Sequence, residues 1–260
     1  MNHQKFSNPL WVIIFLLLCC QWSQPASAFW GGGTTTKIIK WLGKIEGALP
    51  ETQIDELARM IQKTGDLKQV KTLIGKMNLP ETVLEDTYMR IALAQRKLDK
   101  VEAEKMFTNL SGVPGFRHNL SVISGVAEAG TKGALHELRV ANQAKEYGFD
   151  VLSIRKLFDD GIKSHTTDID LLLKKGERTF VIESKAYDSV PNTDKMLGDA
   201  QTLLEYAKQA KNEKVTPVFL FTNEPSQTLR TLLQNKEVQI IVGTPESQIT
   251  ELKLLAEILQ

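Results

Sequence analysis

The sequence predicts an α/β protein in which a mixed sheet flanked by helices is preceded by an all-helical module. Three observations predict it. From residue 130 onward, apolar runs at 149–154, 168–173, 179–185, 215–221 and 237–242 alternate with stretches of helical period, and strands that alternate with helices imply a sheet covered on both faces. Two of those runs are separated only by Lys174, Lys175, Gly176, Glu177 and Arg178, which reads as a tight turn between adjacent strands. Before residue 110 the pattern is helical, with breaks at 47–50, at Gly65 and at 77–80.

Taken in order, residues 1–28 read as a signal peptide. His3 and Lys5 precede an uninterrupted apolar run over 10–20, and Ala26, Ser27 and Ala28 form a small-x-small cleavage site. The run is well short of the roughly 20 residues that cross a bilayer, which favours cleavage over an anchor. Membrane anchoring is the alternative, with Gln21 and Trp22 extending the segment to the interface. Cleavage after Ala28 removes Cys19 and Cys20, so the exported chain has no disulfide, no thiol nucleophile and no cysteine-ligated zinc. It also removes Lys5 and no acid, so the formal charge falls from +1 to zero. Any nucleic acid must then be met by a local patch, not by a global field.

After the low-complexity stretch 31–36, residues 34–110 read as the helical module. Leu49, Pro50, Glu51 and Thr52 recur as Leu79, Pro80, Glu81 and Thr82, each copy opening a helix with Pro in the first turn and Glu where its charge meets the dipole. The unit over 81–107 has the spacing of one long amphipathic helix. Nothing in this half points to chemistry; a packed helical hairpin or a surface for a protein partner or inhibitor accounts for it. Ser111, Gly112, Val113, Pro114 and Gly115 mark a joint, with residues 111–129 as linker and 130–260 as the α/β domain.

In that domain a helix is expected over 131–147, ending at Gly148 as C′ residue. Glu137 lies beside its apolar stripe of Ala134, Leu138 and Ala141. It can lean over the sheet edge as a carboxylate ligand, or simply complement the dipole of an early helical turn. The strand 149–154 follows, then a loop over 156–167 in which His165 is either a surface residue or an assistant to the acids nearby; His136 is read in the same way. In an antiparallel hairpin the head of the strand 168–173 lies beside the tail of 179–185, so Asp170 and Glu183 converge at one edge. The period of two puts Glu183 and Lys185 on the face of Val181, and Phe180, Ile182 and Ser184 on the other. Asp168 shares a face with Asp170; Asp170 is preferred because the apolar run starts immediately after it. Two carboxylates with an ammonium beside them suit Mg²⁺ or Mn²⁺, which take oxygen ligands and accept phosphate oxygens from a substrate. The plainer account is a strand-start Asp and a solvated Glu/Lys pair. Further on, a helix over 194–211 covers the sheet with Leu197, Leu204 and Ala207, carries Gln201 near the same side, and offers Lys195, Lys208 and Lys211, with Lys214 beyond it, to phosphates.

A helix Glu, a strand Asp and a following Glu-x-Lys resemble the PD-(D/E)xK nuclease superfamily, that of restriction endonucleases, Holliday-junction resolvases and contact-dependent inhibition nuclease toxins. The likeness covers about 130–242. It implies a restriction-endonuclease-like fold in which Glu137, Asp170, Glu183 and Lys185 are catalytic. It also implies that the Ser184 carbonyl joins Asp170, Glu183 and Glu137 around the metal, and that Gln201 positions substrate. Ile169 stands where the superfamily has Pro. The resulting expectation is an exported, metal-dependent nuclease acting on DNA or RNA, with a toxin among its roles and homodimers compatible with it. The alternatives are a catalytically inactive module binding nucleic acid or protein, and a membrane-anchored DNA-processing enzyme.

Overall fold

The computed structural model describes residues 47–159, 167–187, 192–210 and 214–259. The signal-peptide reading, His165 and Lys211 lie outside the described residues. Helix α1 (Glu51–Thr64) buries Ile54, Leu57, Ala58 and Ile61, the i, i+3, i+4, i+7 stripe of an amphipathic helix, and stops at Gly65 in the left-handed conformation. Asp66 then caps α2 (Leu67–Lys76) by accepting the backbone N–H of Gln69 at 3.0 Å. Pro50 and Pro80 immediately precede α1 and α3 (Glu81–Ala94), so each repeated tetrapeptide opens a helix as expected.

One expectation fails here. The stretch 81–107 is not a single helix: α3 ends at Ala94 and α4 runs Lys100–Leu110. Arg96 takes φ 60°, and Asp99 restarts the helix by accepting the N–H of Glu102 at 2.9 Å. Apolar spacing passes through such a break because neither Gly nor Pro marks it; the Asp-x-x-Glu spacing of a capping box does.

Residues 111–129, read as linker, hold a helix, α5 (Phe116–Ile123), and the first residues of α6 (Glu128–Glu146). Gly115 precedes α5 with φ 90°, and a Cβ placed there would stand 1.6 Å from the carbonyl oxygen of Ile154. Pro114 C=O meanwhile accepts the N–H of Ile154 at 2.8 Å. That close backbone approach docks α5 on the first strand, and only glycine permits it.

The described residues form one open, mixed, five-stranded sheet in the order β1 (Asp150–Phe158), β2 (Thr167–Lys175), β3 (Arg178–Lys185), β4 (Lys214–Phe221), β5 (Gln239–Val242). β1, β2 and β3 are antiparallel neighbours, whereas β3, β4 and β5 run parallel. The β2–β3 hairpin is antiparallel as expected, but the strands pair as far as Lys175 opposite Arg178, so the turn narrows to Gly176 and Glu177 inside the expected turn 174–178. β1 extends four residues beyond the expected Ile154. It is an edge strand whose Arg155, Lys156 and Leu157 are exposed, so the apolar signal fades before the strand does. Pro217 sits inside β4, on the stretch before pairing with β5 begins at Val218, where its missing N–H leaves no ladder bond unmade on that side.

Helices cover both faces. α7 (Thr193–Gln209) and α8 (Gln227–Gln234) pack Met196, Ala200, Leu203, Leu229 and Leu233 on Leu172, Val181, Phe219 and Phe221. On the other face, Leu171, Leu173, Phe180, Ile182, Val218 and Leu220 join α6 and α9 (Pro245–Ile258) in one buried cluster that continues through α5 into α1–α4. The helical half therefore shares its core with this sheet face. No helix among the described residues is long and apolar enough to cross a membrane.

Candidate functional site

The site forms at the end of the β2–β3 hairpin where the pairing opens, one step beyond Leu171 and Ile182. Asp170 and Glu183 are the next residues along the two strands, so their carboxylates meet as the sequence predicts. Asp170 Oδ2 accepts the backbone N–H of Ser184 at 2.7 Å. The Lys185 ammonium contacts Glu183 Oε1 and lies 3.0 Å from Asp199 Oδ2 on α7. These three side chains are only 11%, 9% and 17% exposed. From the opposite face, α6 carries Glu137, whose Oε2 accepts a hydrogen bond from Asn119 Nδ2 on α5 at 2.7 Å.

Three carboxylates thus gather around one ammonium, with Glu137 close enough to Asp170 to feel its charge, and their acidities show the imbalance. Burial raises the Glu137 carboxyl to about 8, with the charge of Asp170 adding to it and the Asn119 hydrogen bond opposing it. Burial also raises Asp170 to about 6, against the pull of Lys185 and the Ser184 N–H. Glu183 is pushed well above the carboxylate range by burial and then by Asp170. Burial works against the Lys185 ammonium, but Glu183, Asp170 and Asp199 together hold its pKa above the usual lysine value. Asp170 is the middle of the group, felt by Glu137 on one side and Glu183 on the other.

The choice between the two aspartates is made by their surroundings. Asp168 is 40% exposed and paired with Arg155 at 3.1 Å, while Asp170 is enclosed among the acids. Ser184 offers its N–H to Asp170, and its hydroxyl is buried with no hydrogen-bond partner among the described residues. Gln201 is not brought to the cluster: its Nε2 donates to Glu205 at 2.9 Å along the same helix. The reason is rotational. The fully buried stripe on the sheet is Met196, Ala200 and Leu203; Leu197 and Leu204 flank it, partly buried against the same cluster, so the stripe is centred one residue earlier than expected. At about 100° per residue this puts Asp199 toward the strands and Gln201 about 200° away from it. That stripe, correctly phased, was the signal for Asp199.

The lysines divide likewise. Lys195 is exposed in the first turn of α7, on the site's side of the helix axis. Lys208 pairs with Glu205 at 3.7 Å, and at 1.5 Å per residue it lies about 13 Å along the axis beyond Asp199. Lys214 pairs with Glu177 at 3.1 Å and faces Arg178 in the register, roughly 23 Å down the strand from Lys185. Neither belongs to the site. His136 is no surface residue but buried on α6, where burial and then Arg139 lower its pKa to about 4. Asn119, which sequence reasoning missed, comes from the segment 111–129 read as linker.

Among the described residues, no three carboxylate, imidazole or thiol groups stand together in a form that holds a metal by themselves. A hard cation does not require that: Mg²⁺ takes one or two carboxylates and completes its shell with water and phosphate oxygens. The donor set of Asp170 and Glu183 is all oxygen, and the surplus of buried negative charge beside one ammonium is what such a cation offsets. The residues present fit the ion.

The fold and site define an α/β chain with a buried carboxylate–ammonium cluster at the open end of a β-hairpin. No protein-family profile matches the chain, and no curated protein matches it.

Proposed function

We propose that the chain is a divalent-metal-dependent nuclease of the PD-(D/E)xK kind, hydrolysing phosphodiester bonds of DNA or RNA. The observation that carries this reading is the adjacency of Asp170 and Glu183 at the two strand ends with Lys185 against Glu183. Asp170 and Glu183 would hold Mg²⁺ or Mn²⁺, with the Ser184 carbonyl beside them and Glu137 reaching through water. When bound, such an ion lowers the pKa of a coordinated water and offsets charge on the phosphate. Lys185 donates hydrogen bonds to the attacking water or to the phosphate oxygens, a preorganised charge in a site that needs little reorientation. Asp199 positions Lys185, and Asn119 positions Glu137. The export expected from residues 1–28, together with such an activity, suits a toxin or a scavenger of nucleic acid outside the cell.

The test is incubation of the purified protein with plasmid, single-stranded DNA and transfer RNA, each with Mg²⁺, with Mn²⁺ and with chelator. Cleavage that needs metal and disappears in Glu183→Ala supports the reading; cleavage indifferent to chelator, or retained in Glu183→Ala, removes it. One observation favours a second reading: the Lys185 ammonium is already paired with Glu183 and Asp199, a self-neutralised cluster that would serve a binding module without catalysis. Tight binding of nucleic acid with no cleavage under any metal would select it.

A further inference from the structure

A cavity of ≈ 240 Å³ is lined by Lys71 of α2, Tyr88 of α3 and Arg117, His118 and Ser121 of α5. It is set by the same helix that serves the acidic cluster, because Asn119, the donor to Glu137, directly follows His118. Three cations share this place. Burial holds the Lys71 ammonium below the usual lysine range, and the neighbouring Arg155 and Arg117 lower it further. His118 is lowered to about 4 by burial, then by Arg155 and Lys71, with the Asp168 carboxylate opposing them and Arg117 adding to the fall.

The opposing charges are weakly committed. Arg117 pairs with Glu81 at 2.9 Å, with the side chains 47% and 55% exposed, and Arg155 pairs with Asp168. Exposed pairs of this kind contribute little to stability, so exchanging either for another anion costs little. Glu85, the remaining acid nearby, is turned to Ser111 and Gly112. Lys71 has no carboxylate partner among the described residues, and His118 Nε2 is buried without a hydrogen-bond partner. The cleft therefore presents an unmatched ammonium and the Arg117 guanidinium held by an exchangeable pair, with Arg155 near enough to act on Lys71 and His118.

We propose that this cleft seats a backbone phosphate of the nucleic-acid strand whose neighbouring phosphodiester lies at the acids, so that the helical half is part of the substrate site. This rests on the nucleic-acid reading above and assigns the helical half a role in it. The lining suits a phosphate, since Arg117 and Lys71 supply charged donors, and Asp168 is near enough to act both on His118 and on Glu137 and Asp170, which links the cleft to the acids. Contacts of this type position a strand without reading its bases.

The experiment is fluorescence anisotropy of the full chain with a labelled DNA duplex of about 20 base pairs, and with RNA of the same length, in chelator and over a salt series. Lys71→Gln and Arg117→Gln are each expected to weaken binding about 3- to 10-fold and to flatten the dependence of log Kd on log salt by about 1. Lys71→Arg should retain binding, and Lys236→Gln, at the far end of the strands, should leave it unchanged. Glu81→Gln, which frees Arg117, should tighten binding about 2- to 3-fold, a gain that partial unfolding cannot produce. If Lys71→Gln does not fold, the exposed Arg117→Gln and Glu81→Gln still decide. Wild-type protein that binds neither probe at low salt, or variants with unaltered affinity and slope, would overturn the proposal. Hydrolysis is scored separately with Mg²⁺. Binding that depends on Arg117 in a protein that never cleaves keeps the cleft and removes the nuclease, and cleavage with binding indifferent to both variants does the reverse.

Discussion

The Lys185 ammonium is held by two acids from different elements, Glu183 two residues before it on β3 and Asp199 on α7, and each should show a separate role. On the nuclease reading proposed above, Asp170→Ala and Glu183→Ala remove the proposed oxygen ligands and are expected to abolish hydrolysis and weaken Mn²⁺ binding by calorimetry. Lys185→Ala should keep Mn²⁺ binding while kcat falls by about 10²–10³. Asp199→Asn should lower kcat by about 10-fold with KM and metal affinity unchanged, because it acts through Lys185; an unchanged kcat would mean that Asp199 only packs. Away from the site, His136 gives a pH dependence. Its folded pKa of about 4 lies below the ordinary 6.5 because burial, with Arg139 and Lys132 nearby, disfavours the imidazolium. The unfolded chain therefore takes up the proton first as pH falls. The His136 contribution is fully present above 6.5 and is lost between 6.5 and 4, by an amount on the order of 3 kcal/mol. The raised carboxyls of Glu137 and Asp170 act in the opposite direction as pH falls, so the measurement is the difference between wild type and His136→Gln. The variant's thermal midpoint should rise relative to wild type as pH drops through this window, and parallel profiles would sink the idea.

Single elements carry the site's precision, and α5 is the decisive one. Its entry at Gly115 is wedged against the Ile154 carbonyl, and its side chains reach both Glu137, through Asn119, and the basic cleft, through Arg117 and His118. Gly115→Ala must move that backbone and strain a positive φ at once, so a loss of a few kcal/mol is expected, large among single substitutions. Thermal or urea unfolding reads it; a midpoint within a degree of wild type would show that the approach of α5 to β1 is looser than the structure has it. On the opposite face, α7 shows how much a rotation matters, since a shift of one residue in the chosen apolar stripe exchanges Gln201 for Asp199.

At the scale of the molecule, the helical half and one sheet face are a single cluster. Phe116, Leu120 and Ile123 of α5 are buried where α1–α4 meet α6 and the sheet. A fragment beginning at Gly130 would expose the apolar side of α6 to water. We expect that fragment to lack a cooperative unfolding transition, while residues 29–260 unfold in one step. A fragment from Gly130 with a sharp calorimetric peak would show the α/β part to be independent and the shared core to be incidental.

The sequence by itself determined the order of strands and helices after residue 130, the antiparallel β2–β3 hairpin and the meeting of Asp170 with Glu183 at its open end. These are local matters: a period of two, a short turn and an antiparallel neighbour bring the head of one strand beside the tail of the other. Helix starts at Glu51 and Glu81 were legible for the same reason, since capping is written within a turn of the chain. What only the tertiary structure decided was everything contributed across the sheet. Asp199 reaches Lys185 because of the rotation of α7 on one face, Asn119 reaches Glu137 because a glycine lets α5 touch β1, and Arg155 takes Asp168 out of the acidic group. No local pattern reports these, because each depends on how two elements distant in sequence are rotated and spaced against a common core, which packing alone sets.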